Sequence, residues 1–182
     1  TGNPLDVLVV GEALIDMISV EEADSLFEAQ RFEKFQGGSP ANIAGNVAKL
    51  QGTSAIIAKT GIGAFGQFIK AELRRAGVVT DYLAMDHRVH TTVIFVSRTS
   101  GTPDFEAFRD GDYQRAPQDV DEEAIKRAKV IHASTFALSR EPCRSAIRRA
   151  FALAKEHDKI SSLDPNYSHQ MWPDYRETLE VV

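Results

Sequence analysis

Residues 36–50 read QGGSPANIAGNVAKL: two adjacent glycines run straight into a segment of small and apolar residues punctuated by asparagines. Without Cβ atoms, Gly37 and Gly38 open the main chain to conformations closed to other residues and let a ligand come within contact distance. Ser39 and Pro40 are a good helix opening, the serine as a cap for free amides and the proline at the first helical position, so the sequence predicts a helix from Pro40. Ile43, Val47 and Leu50 recur at helical spacing as a core stripe, while Asn42 and Asn46 share another face and offer amides to a polyhydroxyl ligand. Gly45 costs a helix interior about 1 kcal/mol against alanine, which implies close packing or close ligand approach. A plain Gly-Gly turn before an ordinary packed helix explains the same pattern and, on pattern alone, stands slightly ahead.

Upstream, residues 5–10 (LDVLVV) form a short apolar run ending at Gly11, as a buried central strand should. Residues 14–20 (LIDMISV) are apolar except for Asp16. A carboxylate there is expensive unless paired or used, although an exposed edge-strand aspartate is the commoner case. Residues 31–36 lead as a strand into the glycine pair. Downstream, residues 54–60 predict another strand and residues 66–76 a helix stopped by Gly77. This alternation argues for a parallel sheet covered by helices. Residues 91–97 and 104–109 read as a hairpin.

From Asp121 the alternation resumes, with a short helix to Lys129, a strand at 130–133, a helix at about 141–156 opened by Ser139 and Pro142, a strand at 159–164 and a last helix at about 172–180. On the long helix Cys143, Ile147, Ala150, Phe151 and Ala154 form the apolar side, and Arg144 and Arg148 a solvated basic face. Ligands of open α/β sheets gather outside the carboxyl ends of the strands. Glu12 and Asp16, Ser134 and Thr135, and residues 164–167 all fall at such ends. His132, inside a strand, reads as a satisfied core histidine.

The 182 residues, 43% hydrophobic and 26% charged, suffice for one sizeable core. A net charge of −5 gives no footprint for nucleic acid or an anionic membrane surface. No apolar run reaches membrane-spanning length and no basic-then-hydrophobic leader opens the sequence, so the cytoplasm is expected. The single cysteine, Cys143, has no partner for an internal disulfide, and five scattered histidines lack the spacing of a metal site. Residues 61–66 match G-x-G-x-x-G, with Asp81 about twenty residues beyond the motif's start, a minor case for dinucleotide binding. Against it, the preceding strand is not the first of its unit, and Asp81 opens a segment rather than closing one.

GGSPANIA, TGIGAFGQFI (60–69) and LDPNYSHQMW (163–172), in that order, resemble the PfkB or ribokinase-like carbohydrate kinases, particularly fructokinase-like and 2-keto-3-deoxygluconate kinase-like members. The likeness covers almost the whole chain. It implies an α/β, ribokinase-like fold: a mainly parallel sheet with helices on both faces plus a small β lid. Residues 1–182 would then be one truncated domain, its lid drawn from about 14–36 and 81–109 and paired with a second subunit's lid in a homodimer, and its C-terminal nucleotide-binding part absent. The implied reaction is transfer of the γ-phosphoryl group of ATP, with Mg²⁺, to a sugar hydroxyl.

Carried over residue by residue, the resemblance implies that Asp16, in GEALID, accepts hydrogen bonds from sugar hydroxyls and that Gly37, Gly38 and Asn42 meet the sugar. Arg109, after an aromatic segment, would point at the substrate, and Asp164 and Asn166 of D-P-N would lie near substrate and phosphates. Ile62 and Gly63 replace the family's usual acidic pair, which leaves open the contact that acid makes. The family's G-A-G-D and N-x-x-E strings do not occur in these residues, so the expectation is a chain that holds sugar, carries no catalytic residue and binds no cofactor alone. A stand-alone sugar-binding or scaffold domain is the competing reading.

Overall fold

The computed structural model describes residues 2–172 and 174–182. Strands β1 (Leu5–Val10), β2 (Leu14–Glu22) and β3 (Phe32–Gly37) precede α1 (Ser39–Lys49), β4 (Ser54–Gly61), α2 (Ala64–Ala76), β5 (Leu83–Asp86), β6 (Val93–Arg98) and β7 (Phe105–Phe108). Then come α3 (Glu122–Arg127), β8 (Ala128–Ser134), a short α4 (Thr135–Leu138), α5 (Cys143–Glu156), β9 (Ile160–Asp164) and α6 (Tyr175–Val181). Of the last helix expected at 172–180, residue 173 lies outside the described residues.

The main sheet has the order β5-β4-β1-β8-β9 and every pairing in it is parallel. Its central strands β1 and β4 are apolar on both faces because both faces are covered, whereas the edge strand β9 is polar and partly exposed. Leu8, Val10, Ala55, Ile57 and Ile131 pack with α3 and α5, whereas Val9, Ile56 and Ala58 pack with α1 and α2. The chain builds outward from β1 to β4 and β5, then returns to place β8 on the other side of β1. The strand order therefore reverses between β1 and β8, the position at which an open α/β sheet leaves a crevice at its carboxyl ends.

The second sheet, β3-β2-β6-β7, is the lid. Asp16 pairs with Phe35 on one side and Ile94 on the other, and strand alternation sends Met17 and Phe95 to the opposite face. Phe32, Phe95 and Phe108 stack edge to face there, with centroids 5.1 and 5.9 Å apart. The lid's strands come from Leu14–Glu22 and Phe32–Gly37 in one stretch and Val93–Arg98 and Phe105–Phe108 in another. β5 pairs with β4 in the main sheet.

Several local expectations change. Ser39 is the first residue of α1, not its cap; Gly38 holds the cap position at φ 100° without a side-chain bond. The face of α1 turned inward is Pro40, Ala41, Ala44 and Gly45, with Ile43 and Val47 half-buried and Leu50 83% exposed. Small residues win that face because α1 lies close against β1 and β4, where larger side chains would hold it off. A Cβ on Gly45 would stand 4.0 Å from Ala76 of α2, an ordinary contact distance, so packing there does not by itself require a glycine.

Ser139 closes α4, donating to the Phe136 carbonyl at 2.6 Å, rather than opening α5. Arg144 is not solvated: it donates to the carbonyls of Leu138 and Ser139 and to Glu177, with its guanidinium 5.4 Å from the Trp172 ring. Arg148 is exposed as expected. His132 is buried with Nδ1 3.0 Å from Ser162 Oγ, and burial lowers its pKa. Cys143 is buried, and that burial pushes its thiol up. Among the described residues no helix is long and apolar enough to cross a membrane.

Candidate functional site

At the reversal between β1 and β8, Glu12 leaves the end of β1 and is 1% exposed. Its carboxylate accepts from Ser134 Oγ at 3.0 and 3.3 Å and from the Ser39 amide at 3.2 Å. Burial pushes this carboxyl up to about 7, the hydrogen bonds opposing the shift and the charge of Asp112 adding to it. Gly38 turns the chain above it with φ +100°, and a Cβ at that position would stand 2.6 Å from the Glu12 carbonyl oxygen. Gly37 has a different reason to be glycine, since a Cβ there would stand 2.1 Å from Asp16 Oδ2. One glycine admits a backbone bend and the other admits a carboxylate.

Asp16 is half-buried, and burial pushes its carboxyl up to about 6. It borders a cleft of about 270 Å³ with Thr135, Asn166 and Ser168 as the other polar residues. Ile94, Val96 and Phe105 of the lid and Phe136 and Met171 of the main domain supply the apolar walls. Such a cleft suits a small ligand with hydroxyls on its edge and C–H groups on its faces.

The segment 163–172 is tied to this floor. Asp164 accepts from Ser39 Oγ at 3.3 Å and from the Asn166 amide at 3.1 Å, while Thr135 Oγ1 donates to the Asn166 carbonyl at 3.0 Å. Buried Trp172 donates from Nε1 to the Thr135 carbonyl at 3.2 Å. Asp16, Gly37, Gly38, Asp164 and Asn166 thus gather around the ends of β1, β8 and β9.

Two candidates do not join them. Asn42 is exposed and accepts from Gln36 Nε2 at 3.3 Å, in a polar groove between α1 and α2 shared with Asn46, Lys49, Glu72 and Arg75. Arg109 does not border the cleft: its side chain is 3% exposed and paired at 2.7 Å with Asp112, itself 0% exposed. Its other contacts are Ser139 Oγ at 2.7 Å, the Phe136 carbonyl at 3.0 Å and Met171 Sδ at 3.6 Å, and its Cζ lies 4.2 Å from the Phe136 ring centroid, so it braces two residues of the cleft wall. A desolvated guanidinium requires such pairing. Asp-Gly-Asp at 110–112 reads in sequence as a turn, so the partner was not visible there.

Glu12 and Thr135 carried a signal as polar residues after strands. Ser168 and Met171 lay within the family-like string 163–172 without being singled out, and Phe105 and Phe136 were not singled out either, because a cleft wall assembled from distant segments has no local pattern.

Gly61 and Gly66 serve packing. A Cβ on Gly66 would stand 1.8 Å from the Gly61 carbonyl oxygen, and one on Gly61 2.7 Å from that of Val89. Phe65, Val89, His90, Thr91 and Val93 border an apolar cleft of about 420 Å³ nearby, larger than the Asp16 cleft but with no carboxylate in its lining. Asp81 sits exposed in the turn before β5 rather than at the end of that strand, where a ribose-binding acid belongs. The dinucleotide reading is not supported.

The profile of the pfkB family carbohydrate kinases matches residues 4–182. Fructokinase-1 of Oryza sativa subsp. japonica is 38% identical over 174 residues, which cover 94% of this chain and 54% of that protein. Halothermothrix orenii fructokinase superposes with a TM-score of 0.88 at 37% identity, over 97% of this chain and 64% of that one. An uncharacterized sugar kinase from Pyrococcus horikoshii, solved in complex with ATP, gives a TM-score of 0.91 at 30% identity over 96% of this chain and 58% of that one. The chain spans about half the length of the curated relatives it matches. With the parallel sheet, the lid and a profile match over nearly every residue in agreement, the chain belongs to the pfkB family of carbohydrate kinases.

Proposed function

We propose that this chain forms the acceptor-binding part of an ATP-dependent sugar kinase, fructokinase-like or 2-keto-3-deoxygluconate kinase-like. The observation that carries the reading is the Asp16 carboxylate: it is held over Gly37 at the edge of a cleft with mixed polar and apolar walls, and among the described residues no side chain donates to it. A carboxylate near 6 is ionised at neutral pH and accepts hydrogen bonds from vicinal hydroxyls. Asn166, Thr135 and Ser168 offer further polar contacts, and Ile94, Val96 and Phe105 close over the ring. Asp164, with its backbone and hydroxyl bonds, organises the floor. Asn42 reaches a sugar here only if its amide leaves Gln36.

ATP and Mg²⁺ belong to the complete kinase in this reading. Among the described residues no three His, Cys, Asp or Glu side chains converge as a cation site requires, so no step is assigned to Mg²⁺ through these residues. A non-catalytic sugar-binding domain would use the same cleft; family membership favours the kinase. A cytoplasmic setting, where ATP is supplied, goes with the proposal.

The test is calorimetric titration of the chain with D-fructose, 2-keto-3-deoxygluconate and ribose, beside Asp16→Asn. Binding of one sugar that Asp16→Asn weakens supports the reading, and no heat with any of them overturns it. The outer lid face, with Met17, Val93, Phe95 and Phe108 beside Phe65, is the proposed homodimer contact, Phe108 being 57% exposed. A monomer alone in gel filtration at micromolar concentration would remove that part.

A further inference from the structure

We propose that Glu12 is a positioning residue for the acceptor site: its buried carboxylate supplies, from the end of β1, the cap that α1 lacks in its own sequence, and so fixes the Gly37–Gly38 bend beneath Asp16. The inference rests on the sugar-binding reading above and deepens it. Helix starts leave unpaired amides that a side chain at the cap position ordinarily satisfies. Gly38 has no side chain, and the hydroxyl of Ser39 is turned to Asp164. Glu12 Oε1 accepts the Ser39 amide instead, while Ser134 holds the same carboxylate from β8.

One side chain therefore joins β1, β8 and α1 at the point where the strand order reverses. A negative charge at the amide end of an 11-residue helix is favourable, and charged acceptors make the stronger bonds. Glu12 is not among the residues that line the Asp16 cleft, so its action passes through the loop. The bend leaves no slack, because Gly38 lies against the Glu12 main chain and Gly37 against Asp16.

The other ionisable groups around Glu12 are Asp112 with its partner Arg109, Cys143 of α5, Arg115, Asp164 across Ser39, His132 earlier on β8 and Asp16 on β2. With its carboxyl near 7, Glu12 changes charge close to neutrality, so the bend tightens as pH rises. Asp16, near 6, titrates separately.

Two measurements test this on the whole chain. The first follows the Ser39 amide resonance without ligand between about pH 5.5 and 8.5 in wild type and Glu12→Gln. The second is calorimetric affinity for D-fructose at about pH 8 for the same proteins. Expected are a wild-type Ser39 shift with a midpoint near 7 that is absent in Glu12→Gln, and an affinity about tenfold lower in the variant. A wild-type Ser39 amide that does not titrate there overturns the proposal, as does a variant that binds D-fructose like wild type. If Glu12→Gln fails to fold, the wild-type titration alone decides. If wild type titrates as expected but binds no sugar, the acceptor reading fails while the Glu12 cap stands.

Discussion

Asp16 occupies the space that a side chain at Gly37 would need: a Cβ built there would stand 2.1 Å from Asp16 Oδ2 and 2.5 Å from its carboxyl carbon. β2 and β3 pair so that Leu14 faces Gly37 and Asp16 faces Phe35, which carries the carboxylate back across the start of the bend. The glycine pair and the aspartate, more than twenty residues apart in sequence, are one structural unit.

Gly37→Ala should therefore act on the ligand as well as on the fold. We expect a stability loss of about 1–3 kcal/mol from overpacking and at least about a tenfold loss of sugar affinity as Asp16 is displaced. Gly63→Ala is the control, since a Cβ there meets nothing within 4 Å. Urea unfolding and calorimetry on both variants check the contrast. Equal behaviour would detach Gly37 from the site.

Asp16→Ala should weaken sugar binding by about 1.5–3 kcal/mol, the usual value for hydrogen bonds to a charged group. In wild type the affinity should decline as pH falls through about 6, because the protonated carboxyl is a poorer acceptor. The sign for stability is opposite. A raised carboxyl means that the folded chain binds the proton more tightly, so this group's contribution is fullest below 3.8 and is lost as pH rises through about 6. Titrations and urea melts across that window should move in opposite directions.

Arg109→Ala should unfold the chain more easily rather than change its sugar preference. Removing the guanidinium leaves Asp112 buried without its partner, a loss of about 3–5 kcal/mol. Replacing both, as Arg109→Met with Asp112→Leu, should recover much of it. A stable Arg109→Ala protein that loses 2-keto-3-deoxygluconate but keeps fructose would restore the arginine to the substrate.

Glu12→Gln should be more stable than wild type at about pH 8 while binding sugar less well. A carboxyl moved from 4.5 to about 7 by burial is destabilising when ionised by roughly 3 kcal/mol. That penalty is absent below 4.5 and complete above about 7, so the gain in the variant should appear only as pH rises through that interval. Thermal melts at the two ends of the window measure it, and a Tm that falls at both would contradict the assignment of the charge.

The order of strands and helices was readable from local pattern. Near-continuous apolar runs mark β1 and β4, a helical apolar stripe marks α5, and Gly77 at φ 94° ends α2 where a glycine was expected to. The glycine pair and Asp16 also stood out, because each is costly where it sits unless something uses it. Pairing and burial were not readable. Glu12 meets Ser39 and Ser134, 27 and 122 residues away, and Asp164 meets Ser39 across 125. Arg109 was expected at the substrate but is enclosed by Asp112, Ser139 and Phe136, and α1 turns its alanines inward with Ile43 half-buried beside them and Leu50 exposed. Periodicity depends on neighbours along the chain, whereas desolvation, charge pairing and the room left under a helix depend on neighbours in space, which exist only once the sheet has assembled.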